Sequence, residues 1–536
     1  MNNLDENVSP CNHFYPYVCN KWIEENSDGN YTSVWDMIQY NSNMEMMEYL
    51  TNTPRDEMPN FVKMTKNFYD SCMESQEFDL MELMHWLEKQ EKMTWALLTP
   101  LDTEGVVFDW PSTMAIFRKY GFNDMLVDQW DKPTIDFQYL NAMNIADLAQ
   151  SITLPYGAMD FQQIWKYIDE LGDKFLEIQV KVTKEEIYKF KELPYEWLKK
   201  YVRELMGGQL DPNMELSVKN VVAMKELDEV LKEYQDFVLC LYLEVGFLKY
   251  LKKANKRDTP NACMEQTTSL LTPATEWIHS QLHPELVQEI PEMQQMFGDV
   301  VKNLQKTLRM GQEEGVIPQE FFRKLETVRL QVGNFPSSAS TMASLESYYT
   351  NLQLHANDYY GNYMEILKFH YELEPKDKDM FFNTRTYTMP SWDDTPFYDL
   401  DKNVYVLPFA VLRPPIYHVA YENIFKQSAL ASIMALRLFD DFELIGGGTD
   451  KIDTLNLAYL ASFSSSFEIF FSSLQDREAK RYLSMFEMTS LQELKQMFFI
   501  NAVQYLCAMG DDEVEVVNYM LMDLSEFSST FDCERD

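Results

Sequence analysis

Three scarcities bound this chain. No run of 18 or more apolar residues occurs in its 536 positions, and the opening MNNLDENVSP is polar, so neither a membrane span nor a signal peptide is expected within it. Positive charge is scarce: 46 Lys and Arg stand against 85 Asp and Glu, a formal charge of −39. That field repels phosphate backbones and anionic lipid, which argues against nucleic-acid or polybasic membrane binding. Cationic peptides or proteins are the electrostatically favoured partners, although a high acid content also serves solubility alone. Histidine is scarce too. The seven at 13, 85, 279, 283, 355, 370 and 418 are never followed by Glu, which excludes a His-Glu-x-x-His zinc helix anywhere in the chain. With 17 Gly and 22 Pro against 46% hydrophobic residues, the chain is globular and has ample material for a core. Its length allows two large lobes or three to four domains.

From about Tyr31 to His370 the chain reads as successive amphipathic helices, with apolar residues at i, i+3 and i+4 and charged faces between them. Examples are the segments 161–183 and 224–253. The 33 Met and the aromatic stripes in this region belong to a core rather than to a cofactor site. His279 and His283 share a helix face at the spacing of two metal ligands. Pro284 ends the helix there and no Glu follows either residue, so both read as exposed histidines at a helix end. Two sequons, at Asn7 and Asn30, allow glycosylation, although Pro10 after Ser9 makes Asn7 the poorer acceptor. Seven cysteines, at 11, 19, 72, 240, 263, 507 and 533, are ambiguous taken alone.

The stretch from Val404 to Glu443 is the most informative. An alternating run through Val404, Val406 and Phe409 predicts a strand, Pro414-Pro415 breaks it, and a helix follows from about Glu422 to Phe439-Asp440-Asp441. This order resembles the active-site segment of the neprilysin family of zinc metallopeptidases. The opening segment resembles that family as well, with Pro10, Cys11, Phe14, Tyr15, Tyr17, Cys19 and Trp22 at the family's spacing. So do Phe68-Tyr69 before Cys72 and the segment Phe498-Phe499-Ile500-Asn501 before Cys507.

The resemblance implies a mainly α fold with a small β component. It has two lobes, a large helical lobe capping a thermolysin-like catalytic lobe. The expected boundaries are an N-terminal segment, 1–25, that joins the C-terminal lobe, a helical lobe at 26–375 and a degenerate peptidase lobe at 376–536. It implies bridges Cys11–Cys533, Cys19–Cys507 and Cys72–Cys263, with Cys240 left as a buried thiol. Three bridges imply an extracellular, secreted protein whose leader lies outside this numbering.

The resemblance also shows what is missing. Ile433 and Arg437 stand where the family has its two zinc imidazoles, and Met434 stands at the Glu that serves as general base. An alkyl group has no lone pair, a guanidinium repels a dication, and a thioether is no base at neutral pH. The family's third ligand, a Glu, aligns with Leu457, and the Asp that orients a ligand His aligns with Ala461. The substrate-backbone clamp aligns with Thr395, Pro396 and Phe397, and Pro396 has no N–H to offer. The Arg that grips the substrate's carboxylate aligns with Val516, and the family's oxyanion His has no counterpart. Arg437 is expected to pair with Asp440. The chain is therefore expected to be a pseudopeptidase without zinc or any other cofactor. Either it binds extracellular peptides in the former substrate cavity, or it binds a receptor or an active relative through its surface. Residual hydrolysis is the weakest alternative, since no Ser-His-Asp or Cys-His pattern supports it.

Overall fold

The computed structural model describes the chain apart from residues 1–3, 27–28, 76–78, 101–102, 124–125, 131–133, 138–157, 179–184, 209, 254–258, 314–318, 335–341, 374–395, 400–401, 439–450, 510 and 534–536. Helices carry most of it, from Phe14–Asn26 to Ser525–Phe531. The mainly α expectation with a small β component holds. The reading of 31–370 as helix after helix does not. Five strands interrupt it, and four of them, β1 (Val127–Trp130), β2 (Thr134–Phe137), β3 (Glu186–Lys189) and β4 (Glu215–Val218), form a sheet in the order β1-β2-β4-β3. Each is four residues long, too short for a period of two to stand out against the helical pattern around it. The helix expected over 161–183 is Ala158–Glu177, which ends before β3.

A second sheet joins β5 (Arg329–Val332), β6 (Phe397–Asp399) and β7 (Val404–Leu407) in the order β5-β7-β6. β7 is the central strand, parallel to β5 and antiparallel to β6. All four of its residues are buried, because both faces are covered. Val404 and Val406 pack with Phe397 on one face, while Tyr405 and Leu407 enter the main core. Phe409 was expected in this strand and lies instead in a short 3-10 turn, Phe409–Val411. Pro408 precedes that turn, and its missing N–H ends the ladder.

The two chain ends meet in an aromatic cluster. The Phe14 ring lies 4.8 Å from that of Phe527 and 5.2 Å from that of Phe531, and Phe499 lies 5.3 Å from Phe527. Bridges Cys11–Cys533 and Cys19–Cys507 fasten the same junction, and Cys72–Cys263 joins the helices Asn60–Glu74 and Pro260–Leu270. These are the pairings that the resemblance implies. Cys240 is a buried free thiol in the apolar helix Asp236–Lys253.

One turn further along that helix lies Glu244, fully buried. Its carboxyl accepts hydrogen bonds from the backbone N–H groups of Ala96 (2.8 Å) and Leu97 (2.9 Å) and so caps the turn Ala96–Leu98. Burial outweighs those two donors and pushes its pKa up to about 8. A carboxyl raised from 4.5 stabilises the fold fully below pH 4.5, and that contribution is lost as pH rises through about 8. Denaturant unfolding at pH 5 and pH 8.5 is expected to show a loss on the order of a few kcal/mol at the higher pH. The pH dependence should flatten in Glu244→Gln.

Candidate functional site

The helix that aligns with the family's active-site helix runs continuously over 423–438 and contains a π-helical turn, Gln427–Ala431. A side chain from another helix meets this turn: Asn501, on the helix Leu491–Gln504, donates from Nδ2 to the Phe425 carbonyl (3.2 Å) and to Ser428 Oγ (2.7 Å), the kind of contact that accompanies a break in the i→i−4 ladder. Asn501 closes the Phe498-Phe499-Ile500-Asn501 segment, so that motif positions this helix. Asn501→Ala leaves these acceptors with one partner fewer in a buried setting. It is expected to cost roughly 1–3 kcal/mol in chemical denaturation.

Other polar contacts hold the first half of the helix. Glu422 precedes it and forms a two-pronged ion pair with Arg481, Nη2 to Oε2 at 2.8 Å. The buried Lys426 ammonium lies between Glu289 (2.9 Å) and Glu292 (3.2 Å) and over the Tyr417 ring. Burial pushes the Tyr417 phenol upward, and Glu289, which accepts its proton at 3.0 Å, adds to that shift. Glu289 itself is held below the usual carboxyl range, chiefly by Lys426.

The second half of the helix carries the positions aligned with the family's metal ligands and, apart from Ser432 and Arg437, it is apolar. Ile433 is 1% exposed and Met434 0%; Ala435 and Leu436 are buried beside them. The neighbouring helix Lys451–Ser473, which contains Leu457 and Ala461, packs directly against this one. Small residues line both sides of the contact: Ala429, Ser432 and Ala435 on one, Ala458, Ser462 and Ser466 on the other, all buried. Ser432 and Ser466 share a hydrogen bond of 2.6 Å. Packing and this serine pair join the two helices.

A zinc ion does not fit this arrangement. Ile433 offers no lone pair, Arg437 offers a cation and Met434 offers no base. Among the described residues, no three His, Cys, Asp or Glu come together as a metal-holding group. Arg437 is half-buried, and its expected partner Asp440 lies outside the described residues. Of the former substrate clamp, Thr395 lies outside them, and Pro396 is buried directly ahead of β6. β6 is one of the two edge strands of its sheet, and its first residue, Phe397, pairs with Val406. Val516 lies on the helix Asp511–Asp523. Asn7 and Asn30 are both exposed.

The two histidines read as exposed are not. His279 is buried, with Nε2 3.1 Å from Ser42 Oγ, and burial drives its pKa well below the usual value, so it is neutral. His283 is half-buried, with Nε2 2.7 Å from Glu45 and Nδ1 3.1 Å from Glu285. The Glu45 hydrogen bond raises its pKa above the usual value. The buried Arg413, just ahead of the cis Pro414-Pro415 bond, reaches the same Glu45 oxygen at 2.5 Å. Burial opposes ionisation of Glu45, but His283 and Arg413 more than offset it and hold its carboxyl low. The group is a polar clamp between the Val34–Asn52 helix and the Pro-Pro segment. Its sequence signal was the pairing of Arg413 with the Pro-Pro break, which periodicity does not register.

Residues 10–192 match the family model for the N-terminal region of peptidase family M13. Three solved structures share the fold over nearly the whole chain. The Haemonchus galactose-containing glycoprotein complex is 15% identical, with 99% of this chain and 94% of that one covered and a TM-score of 0.67. PepO from Lactobacillus rhamnosis is 10% identical, with 99% and 97% covered and a TM-score of 0.66. The Mycobacterium tuberculosis zinc metalloprotease Zmp1, in complex with an inhibitor, is 11% identical, with 99% and 96% covered and a TM-score of 0.64. The chain has the neprilysin-type fold of peptidase family M13, and the family's N-terminal region is recognisable in its sequence.

Proposed function

We propose that this protein is a non-catalytic member of the neprilysin fold, that it works in the extracellular space, and that it binds peptides or proteins rather than cutting them. The observation that carries the reading is the burial of Ile433 and Met434, at the positions of a zinc ligand and the general base, in an apolar core. Without metal, base or oxyanion group no hydrolytic mechanism remains. Three disulfides suit an oxidising compartment. No helix among the described residues is long and apolar enough to cross a membrane.

The burial of Ile433 and Met434 favours recognition away from the old metal position. The charge of −39 favours basic partners. Structural neighbours of this fold include one named as a zinc metalloprotease and one named as a glycoprotein complex, and a shared fold settles neither role. The test is a panel of fluorogenic peptides incubated with the purified protein, with and without added zinc, alongside anisotropy binding to the same sequences. Binding without cleavage is expected. Cleavage that a chelator abolishes would overturn the reading.

A further inference from the structure

A cleft of ≈ 690 Å³ lies between the helices Pro284–Glu313 and Lys451–Ser473, at the start of the helix over 423–438. Asn423 and Gln427 line it; Ile433, Met434 and Arg437 do not. Six residues of helix, about 9 Å, separate Gln427 from Ile433, so the cleft is distinct from the former metal position. Its volume falls within the roughly 300–1,000 Å³ of small-ligand sites, which suits a short peptide segment and not a folded domain.

The lining is rich in carboxamides: Gln295, Asn303, Asn423 and Gln427. A carboxamide donates and accepts from the same plane, which complements a peptide group. No aromatic ring lines the cleft, so it offers no platform for stacking a base. Gln427 supplies the second observation. It is 8% exposed, and its buried Oε1 has no hydrogen-bond partner. Such an amide pays a desolvation penalty unless a ligand satisfies it, and a half-turn about its last bond exchanges the oxygen and nitrogen that face the cleft.

Charge selects among peptides. Three carboxylates line the cleft, Glu292, Asp299 and Glu468, against two lysines. Both lysines are largely exposed and already engaged, Lys306 with Glu468 at 2.5 Å and Lys302 with Asp299 at 3.4 Å. Glu292 is held by Lys426 at 3.2 Å, and the second Glu468 oxygen accepts from Asn303 Nδ2 at 3.1 Å. A basic side chain entering the cleft therefore finds the second oxygen of Asp299 and the Gln427 amide, competes with Lys306 and Asn303 for Glu468, and is attracted by the field of the whole chain.

We propose that this cleft binds an extended peptide segment carrying an Arg or Lys side chain, with the Gln427 amide and the carboxylates of Asp299 and Glu468 as its recognition groups. The proposal rests on the non-catalytic binding role above and names its site. The probe is a fluorescein-labelled set of capped tetrapeptides holding one Arg, one Glu or neither, titrated by anisotropy against the intact oxidised protein. The Arg peptides are expected to bind at least tenfold more tightly than the Glu peptides. Gln427→Leu should weaken the Arg peptides at least tenfold with no loss of melting temperature, because it also removes an unsatisfied buried amide. Glu468→Gln should narrow the Arg-over-Glu preference about threefold or more. Hydrogen exchange with the Arg peptide bound should protect 292–306 and 423–427. Arg-peptide binding that survives Gln427→Leu, or protection elsewhere, would overturn the cleft assignment and leave the binding role standing. Failure of every peptide to bind would overturn the cleft assignment, and cleavage of the peptides would overturn the non-catalytic role.

Discussion

Met434→Glu, which puts the family's general base back in its place, is expected to destabilise the protein by roughly 3–5 kcal/mol at pH 8. Met434 is 0% exposed, and the groups around it on its helix are Ile433, Ala435 and Leu438, all buried. A carboxylate there sits in a fully buried, apolar setting, so it either remains protonated or carries an unpaired buried charge. The cost should therefore shrink at pH 5, where the neutral acid suffices. Met434→Leu, a swap of similar volume, should cost less than about 1.5 kcal/mol and set the baseline. A near-neutral Met434→Glu at pH 8 would mean that solvent reaches this helix face and that the catalytic cavity is still open.

The second large effect concerns the two bridges at the chain ends. Cys19–Cys507 and Cys11–Cys533 close almost the same ring, with sequence separations of 488 and 522. With one intact, the other closes only the short stretches Cys11 to Cys19 and Cys507 to Cys533. Loop-closure entropy then predicts a loss of roughly 2–4 kcal/mol for either bridge alone and more than the sum for both together. Paired Cys→Ser variants, singly and combined in a double-mutant cycle under oxidising conditions, measure this directly. The double variant should also release the Phe14–Asn26 helix from Phe527 and Phe531, which hydrogen exchange over 14–26 reports. Strict additivity would mean that the two bridges do not share a ring in the unfolded chain, against the chain-entropy account.

Much of the fold was legible because its signals are local or covalent. Helical periodicity is strong through most of the chain, and the cysteine positions beside the aromatic opening specified three bridges once the resemblance supplied their order. The four-residue strands β1 to β4 escaped notice because so short an alternation does not rise above helical surroundings. β7 was found, but its extension to Phe409 was not correct, since Pro408 ends the pairing one residue earlier. At the candidate site the resemblance supplied the alignment of Ile433, Met434 and Arg437 with the family's metal and base positions, and their side-chain chemistry could be read directly. The contacts of this region could not. The Ser432–Ser466 bond, the Asn501 contact that meets the π turn, and the Glu45–His283–Arg413 clamp each join residues 34 to 368 positions apart. The spacing of residues along one helix carries no trace of such partners. His279 and His283 show the limit well: their spacing suggested a shared exposed face, while a serine and two glutamates from other turns and helices decide their burial and charge.

The most direct test of the account is zinc equilibrium dialysis of the oxidised protein, with the metal content of each sample read beside hydrolysis of a fluorogenic peptide. The account predicts well under one zinc per chain at micromolar free metal and no hydrolysis that a chelator abolishes. One zinc per chain, bound tightly and accompanied by chelator-sensitive cleavage, would contradict it.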